Sequence, residues 1–188
     1  MKQVYLDQNI SVNDVICLDT KQAHHIFDVL RTTQKEKIRI ITKNSGVFFG
    51  HVENKPNLVI DLKVDVFKEN QSITLCCALI KQDKFEWMLQ KACELGVSKI
   101  VPFVSKNTIV KLDEKKAEKK LVRWNEILLA ATKQCNRNTL VELEPVTSLK
   151  DLSNFKSECN LVAYEKESDA SKHMAHYLKD NPQSITVC

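Results

Sequence analysis

The pattern of apolar residues changes near residue 70, and this change constrains the fold more than any other feature of the sequence. Before it, apolar and polar residues alternate in short segments such as 58–67, which is typical of strands with one face in water. After it, continuous apolar runs alternate with stretches of helical period, which is typical of parallel strands joined by helices. The sequence therefore predicts an α+β chain of two domains, residues 1–70 and 71–188.

The first domain is predicted to be a small β-barrel with one helix. Residues 38–42 and 47–52 flank a turn sequence in which Gly46 can adopt a positive φ, which indicates a hairpin. The helix is predicted from Thr20, its N-cap, to Leu30. In the strand 58–67, five alternate apolar residues are expected to share one face: Leu58, Ile60, Leu62, Val64 and Val66.

The second domain is predicted to contain four parallel strands at 73–80, 97–104, 160–164 and 184–188. A helix should begin at Asp83, with Glu86 in capping-box position, and end at Gly96. Its apolar stripe is Phe85, Met88, Leu89, Ala92 and Leu95. A long helix is predicted at 113–135, with Trp124 on its inner stripe, and a third helix at 169–179.

Composition narrows the function classes only modestly. No apolar run is long enough to span a bilayer and no signal peptide is recognisable, so we expect a cytoplasmic protein without a membrane partner. The seven cysteines are odd in number and lack metal-ligand spacing, so we expect buried thiols without disulfides or metal. The net charge of +4 permits a polyanionic partner but does not require one.

The end of the second domain bears on its ligand. Ligands of open parallel sheets bind beyond the carboxyl ends of the strands, often against glycine-rich loops. The chain has three glycines, none of them after Gly96, and the predicted strand 184–188 is its last segment. We therefore expect that the chain is incomplete and that a ligand-binding loop belongs after Cys188.

Ordered motifs along the chain resemble those of the bacterial 16S ribosomal RNA uridine-N3 methyltransferases. The segment 23–31, Ala-His-His-Ile-Phe-Asp-Val-Leu-Arg, resembles the N-terminal signature of that family. The later motifs follow in the same order: Ala78-Leu79-Ile80-Lys81, Glu86, Gln90-Lys91-Ala92, Glu94-Leu95-Gly96-Val97, Lys120, Arg123-Trp124, Ile127, Ala130-Ala131 and Gln134-Cys135-Asn136-Arg137. Each motif is weak by itself, whereas the ordered set is specific.

The resemblance implies a PUA-like RNA-binding domain followed by a knotted methyltransferase domain of the SPOUT class. It further implies a homodimer, S-adenosylmethionine as the methyl donor, and a uridine of 16S rRNA in the small ribosomal subunit as the substrate. The family pattern continues with a Gly-Pro-Glu-Gly-Gly loop that is absent here, so this domain is expected to be partial, with its donor site beyond Cys188. The alternative is an RNA-binding fragment that performs no chemistry.

Several residues are candidates for the site. Arg137 is the first, because a guanidinium can bind phosphate or stabilise charge on a uracil ring. Asn136 either bonds a base edge or caps the long helix. The other RNA-binding candidates either contact phosphate or are ordinary solvated residues: His24 and Arg31 on one helix face, Lys81 after a strand, and Lys116, Lys120 and Arg123 in a basic patch with Lys115 and Lys119. The general base is left open among His24, His25, Glu94 and water.

Overall fold

The computed structural model describes residues 2–42, 46–65, 71–106, 108, 113–169 and 173–188. By its contacts the chain forms two compact units. Unit 1 comprises residues 1–68 together with Arg137–Thr139, and unit 2 comprises 69–136 and 140–188. A curled, mainly antiparallel sheet in unit 1 and a parallel sheet in unit 2 confirm the predicted two-domain α+β fold class.

The sheet of unit 1 has five strands: β1 (Gln3–Leu6), β2 (Val15–Cys17), β3 (Ile38–Thr42), β4 (Gly46–Val52) and β5 (Asn57–Val64). Their order is β1-β3-β4-β5-β2, with β1 parallel to β3 and the other pairs antiparallel. The predicted hairpin is confirmed as β3–β4, and Gly46 has a φ of +102°. Turn residues 43–45 lie outside the described residues.

A β-bulge interrupts the expected alternation along β5. Gly50 pairs with Ile60, whereas the preceding Phe49 pairs with Leu62, so Asp61 is the additional residue on β5. An additional residue reverses the faces beyond it. The prediction that Leu62 shares a face with Leu58 and Ile60 is therefore wrong. Leu62 is 41% exposed, while Ile60 is fully buried. Residue 66 lies outside the described residues.

The helical segment of unit 1 has two geometries. An α-helix, α1 (Thr20–Ala23), continues into a π-helix over His24–Val29. The N-cap is Asp19 rather than Thr20, and Asp19 forms a capping box with Gln22. The π-helix has a wider turn than an α-helix. The expectation that residues 24 and 31 share a helix face rested on α-helical geometry, which is absent there.

The sheet of unit 2 has six strands: β6 (Ser72–Ala78), β7 (Lys99–Val104), β8 (Glu142–Leu143), β9 (Thr147–Ser148), β10 (Cys159–Leu161) and β11 (Ser184–Val187). The order is β10-β11-β6-β7-β8, and β9 also pairs with β7. Every pairing is parallel, as predicted. β6 is less covered than its apolar sequence suggests, because only Cys76 in it is buried.

Helices α2 (Gln82–Glu94) and α3 (Glu114–Gln134) pack together and share one apolar core, which includes Leu89 and Trp124. The long helix predicted at 113–135 is confirmed as α3, and Asp113 is its N-cap. The capping box predicted for α2 is wrong, because Lys81 is its N-cap and no side chain caps it. Leu95 was also misplaced: it is the C-cap of α2 and is 81% exposed.

The C-terminal part of unit 2 is less helical than predicted. The predicted helix at 169–179 is represented by the short α4 (Met174–Tyr177), and residues 170–172 lie outside the described residues. A 3₁₀-helix that the sequence did not indicate spans Leu149–Phe155. Its Leu152 and Phe155 pack with Cys76, Val101 and Phe103, a cluster separate from the α2–α3 core.

Candidate nucleic-acid interface

Two basic side chains of α3 are directed at α2. The Arg123 guanidinium donates to both carboxylate oxygens of Glu86, from Nε to Oε1 at 2.6 Å and from Nη2 to Oε2 at 2.8 Å. This bond lowers the pKa of Glu86 below its ordinary value. Lys120 donates to Gln82 Oε1 at 3.2 Å, and its ammonium lies 5.8 Å from the centre of the Trp124 ring. Both cations therefore bridge the helix pair.

Trp124 belongs to the core, as its spacing predicted. It is 2% exposed, and its ring centre lies 4.6 Å from that of Phe85 on α2. It is therefore not available to stack on a base in this conformation. The exposed tryptophan of the chain is Trp87, which is 62% exposed.

The first turn of α3 separates its lysines into two kinds. Asp113 accepts from the Lys116 backbone N–H at 2.8 Å and from the Lys116 ammonium at 2.9 Å. The bond from the Lys116 side chain is the main cause of the lowered pKa of Asp113. Lys115 and Lys119 are exposed, and no described residue pairs with their ammonium groups. With Asp113 and Lys116 they line a shallow depression, which can accept phosphate.

Lys81 lies at the carboxyl edge of the parallel sheet, as predicted. It follows β6 and is exposed at the N-terminus of α2. The positive end of a helix and a lysine favour an anion together. Within the described part of the chain, no carboxylate pairs with the Lys81 ammonium.

Glu94, one of the candidates for the general base, is engaged by its own helix. Lys91 Nζ donates to Glu94 Oε2 at 2.7 Å, and this bond is the main cause of the lowered pKa of Glu94. A carboxylate with a lowered pKa is a weaker base. The geometry thus favours a role for Glu94 in holding the end of α2.

The segment after α3 contains Arg137, the first candidate of the sequence, and its neighbour Asn136. Asn136 is exposed and has a φ of +56°, the left-handed conformation that ends helices. Arg137 is only 8% exposed. Its Nη2 donates to Thr139 Oγ1 at 3.4 Å, and its carbonyl accepts from the Tyr5 hydroxyl at 3.2 Å. A substrate contact by Arg137 stays a prediction.

In unit 1, His24 and Arg31 are both exposed. His24 Nδ1 lies 2.8 Å from Asp28 Oδ2. Arg31 has a φ of +49°, which is uncommon for a residue other than glycine. Thr32, which is buried, fixes the turn by donating from Oγ1 to the Ile26 carbonyl at 2.7 Å. The side chains of both candidates are therefore accessible from solvent.

Two features concern other kinds of site. Within the described ranges, no helix is long and apolar enough to cross a membrane. The described residues also contain no group of three or more His, Cys, Asp or Glu side chains arranged to hold a metal ion.

Comparison with known proteins gives matches along most of the chain. Residues 68–188 match the model of an RNA methyltransferase domain, and residues 18–63 match that of an RNA methyltransferase PUA domain. The ribosomal RNA small subunit methyltransferase E of Bacillus subtilis is 29% identical over 168 residues, which are 86% of this chain and 66% of the relative. Its namesake in Mesomycoplasma hyopneumoniae is 33% identical over 138 residues, 71% of this chain and 57% of the relative.

A solved structure extends the likeness to the fold. The crystal structure of a ribosomal RNA small subunit methyltransferase E from Neisseria gonorrhoeae, bound to S-adenosyl methionine, has a TM-score of 0.84 and 27% identity. The match covers 100% of this chain and 79% of that one. The chain spans slightly less than two thirds of the Bacillus relative and a smaller share of the Mesomycoplasma relative.

Proposed function

Because the chain belongs to the RNA methyltransferase family, we propose that it acts in the S-adenosylmethionine-dependent methylation of small-subunit ribosomal RNA. The observation that carries this proposal is the likeness to small-subunit rRNA methyltransferases over 86% of the chain. By family resemblance, the product is a uridine of 16S rRNA methylated at N3, and a cytoplasmic location follows from a ribosomal substrate. Residues 1–70 are proposed as the RNA-binding domain and 71–188 as the methyltransferase domain.

In an open parallel sheet, a ligand such as this donor binds at the carboxyl edge of the strands. The described residues there include Lys81 after β6 and Ser105 after β7. The three glycines lie elsewhere: Gly46 and Gly50 in unit 1, and Gly96 at the end of α2, before β7 begins. No glycine therefore allows a nucleoside to approach the backbone at this edge. The described residues do not fit the donor by themselves, and what they support is RNA binding.

Among the candidate residues that the sequence indicated and their neighbours on α3, RNA binding is assigned to the exposed cations that no described carboxylate neutralises. Lys115 and Lys119 on α3, Lys81 at the start of α2 and Arg31 in unit 1 are proposed to contact phosphate. His24 is kept as a candidate for the same contact, although its Nδ1 already lies 2.8 Å from Asp28 Oδ2. Lys116, Lys120 and Arg123, which the sequence also indicated, hold neighbouring side chains instead. Each of these three side chains would have to break its present hydrogen bond before it could contact RNA. Asn136 and Arg137 are kept as candidates for contacts to the base.

Filter binding of a small-subunit rRNA transcript at several salt concentrations tests this assignment. Replacing both Lys115 and Lys119 by Met should weaken binding and reduce the slope of log K against log salt by about 1.4, since each phosphate contact with single-stranded RNA contributes about 0.7. Lys150→Met is the matched control, because Lys150 is exposed on the 3₁₀-helix, away from α3. An unchanged slope in the double variant would remove these lysines from the interface.

A second candidate function is an RNA-binding module that performs no chemistry, which the absence of glycine at the sheet edge favours. Calorimetry with S-adenosylmethionine, together with methyl transfer to undermethylated small subunits, distinguishes the two. Donor binding with transfer would establish the enzyme. RNA binding without donor binding would establish the module.

A homodimer is also proposed, by family resemblance. Two large apolar side chains of the α2 region are exposed, Trp87 at 62% and Leu95 at 81%. Surfaces of this kind are commonly buried between subunits. Sedimentation of the protein and of its Trp87→Lys variant tests the proposal. A monomer in both cases would contradict it.

A further inference from the structure

A buried arginine of unit 1 has no role in the function proposed above. Arg39 lies on β3 and is 6% exposed, although arginine is rarely buried unless its charge is satisfied. Its guanidinium donates to Gln3 Oε1 at 2.9 Å and to Asn138 Oδ1. The second acceptor lies 99 residues later in the chain.

The neighbouring strand makes a second contact with the same late segment. Gln3 and Tyr5 alternate on β1, and Gln3 pairs in register with Arg39, so the three side chains project from one face of the sheet. The Tyr5 hydroxyl donates to the carbonyl of Arg137. The opposite face of these strands carries the apolar core, for example Val4. Unit 1 therefore uses one face for its core and the other to hold residues 137–139.

We propose that Arg39 and Tyr5 are positioning residues, which hold the segment Arg137–Thr139 in the conformation that meets RNA. The segment belongs to unit 1 by its contacts and contains no helix or strand. Its course therefore depends on side chains that reach it from rigid strands. The inference rests on the proposed function, in which Arg137 is a candidate substrate contact, but the anchoring itself can be measured without RNA.

Limited proteolysis measures the anchoring. Trypsin cleaves after arginine, and the bond that follows Arg137 is protected while the segment is held. Arg39→Met should raise the rate of native-state cleavage there by at least about tenfold, because a hydrogen bond from a charged donor is lost. The cleavage rate of Arg39→Lys should lie between those of the wild type and Arg39→Met, since lysine keeps the charge but cannot donate as a planar fork. Cleavage after the exposed Arg31 should not change, and Lys63→Met is the control for loss of a charge in unit 1.

Two milder variants keep the inference falsifiable if Arg39→Met fails to fold. Tyr5→Phe removes only the hydroxyl, and Asn138→Ala removes only the acceptor of the Arg39 bond. Each should accelerate the same cleavage. The double variant Asn138→Ala/Arg39→Lys should be cleaved little faster than the more sensitive of the two single variants. Both substitutions act on the same hydrogen bond, that between Arg39 and Asn138. Additive effects, or unchanged cleavage in Tyr5→Phe and Asn138→Ala, would overturn the anchoring.

Filter binding of a small-subunit rRNA transcript supplies the functional readout. The variants should lose affinity in the order in which they expose the segment, while Lys63→Met should lose none. Faster cleavage with unchanged RNA affinity would overturn the link to RNA. If the wild-type chain binds no RNA while the variants are cleaved faster, the proposed function fails and the anchoring stands.

Discussion

Replacing Asn136 separates the two roles that the sequence left open for it. Its φ of +56° requires the left-handed conformation, which costs an ordinary residue such as alanine about 1–2 kcal/mol and costs glycine almost nothing. Asparagine tolerates this conformation better than alanine does. We therefore expect Asn136→Ala to destabilise unit 2 by about 1 kcal/mol and Asn136→Gly to be neutral or slightly stabilising.

The assay follows from the positions of the two tryptophans. Trp87 and Trp124 both lie in unit 2, so thermal unfolding followed by tryptophan fluorescence reports on that unit. A loss of about 1 kcal/mol should lower Tm by about 2–4 °C in a protein of this size. RNA affinity is measured in parallel. If the side chain only caps α3, Asn136→Gly should bind RNA like the wild type.

Two results would refute this reasoning. If the Ala and Gly variants are equally stable, the left-handed backbone conformation does not explain why an asparagine stands at position 136. If Asn136→Gly keeps its Tm but binds RNA at least about fivefold more weakly, about 1 kcal/mol, the amide contacts RNA. Asn181→Gly is the control for RNA affinity, because Asn181 is another exposed asparagine of unit 2 with a positive φ, +51°. Its Tm is not compared, since the Asn181 side chain also accepts from Gln71 Nε2 at 2.9 Å.

Three further predictions concern stability and reactivity. A Cβ on Gly50 would lie 2.3 Å from a carbonyl oxygen of β5, so Gly50→Ala should destabilise unit 1 by about 3 kcal/mol. An unchanged midpoint of urea unfolding, followed by circular dichroism, would contradict this prediction. Burial raises the pKa of Cys77 to about 11, so at pH 8 iodoacetamide should label the exposed Cys17 before Cys77. Equal labelling rates of the two cysteines by mass spectrometry would contradict this prediction. The bond from the Lys2 ammonium, together with that from the Thr33 backbone N–H, lowers the pKa of Glu36 from 4.5 to about 2. The stability from these bonds is complete above pH 4.5 and is lost towards pH 2. In Glu36→Gln, Tm should fall less steeply as the pH is lowered from 4.5 towards 2. An unchanged fall of Tm with pH would show that Glu36 does not cause it.

Periodic features of the fold were predictable because burial imposes them directly. The apolar spacing of 113–135 placed Trp124 correctly in the core, and the turn sequence placed Gly46 at a positive φ. Caps and bulges were less predictable, since they depend on single backbone bonds. The change of face at Leu62 follows from one additional residue in β5, which no local pattern marks.

The site was predictable as residue types but not as partners. The bond between Glu86 and Arg123 joins residues 37 apart and depends on how α2 rotates against α3, which the sequence does not contain. The division among the lysines of α3 had a local signal. Asp113 caps the helix, and the residue three positions later, Lys116, is within its reach. That spacing identifies Lys116 as the lysine that Asp113 neutralises, whereas Lys115 and Lys119 lie outside this spacing.

The position of β11 in the sheet has a consequence for the order of folding during synthesis. β11 lies between β10 and β6, and its Ile185 pairs with Ile73. An interior strand of the sheet is thus translated long after its neighbour β6, and β10 has no place in the sheet until β11 arrives. A ribosome must release almost all of unit 2 before its sheet can close. Unit 2 should therefore complete its sheet late, and until then the edge of β6 that β11 will cover stays open to pairing with other chains.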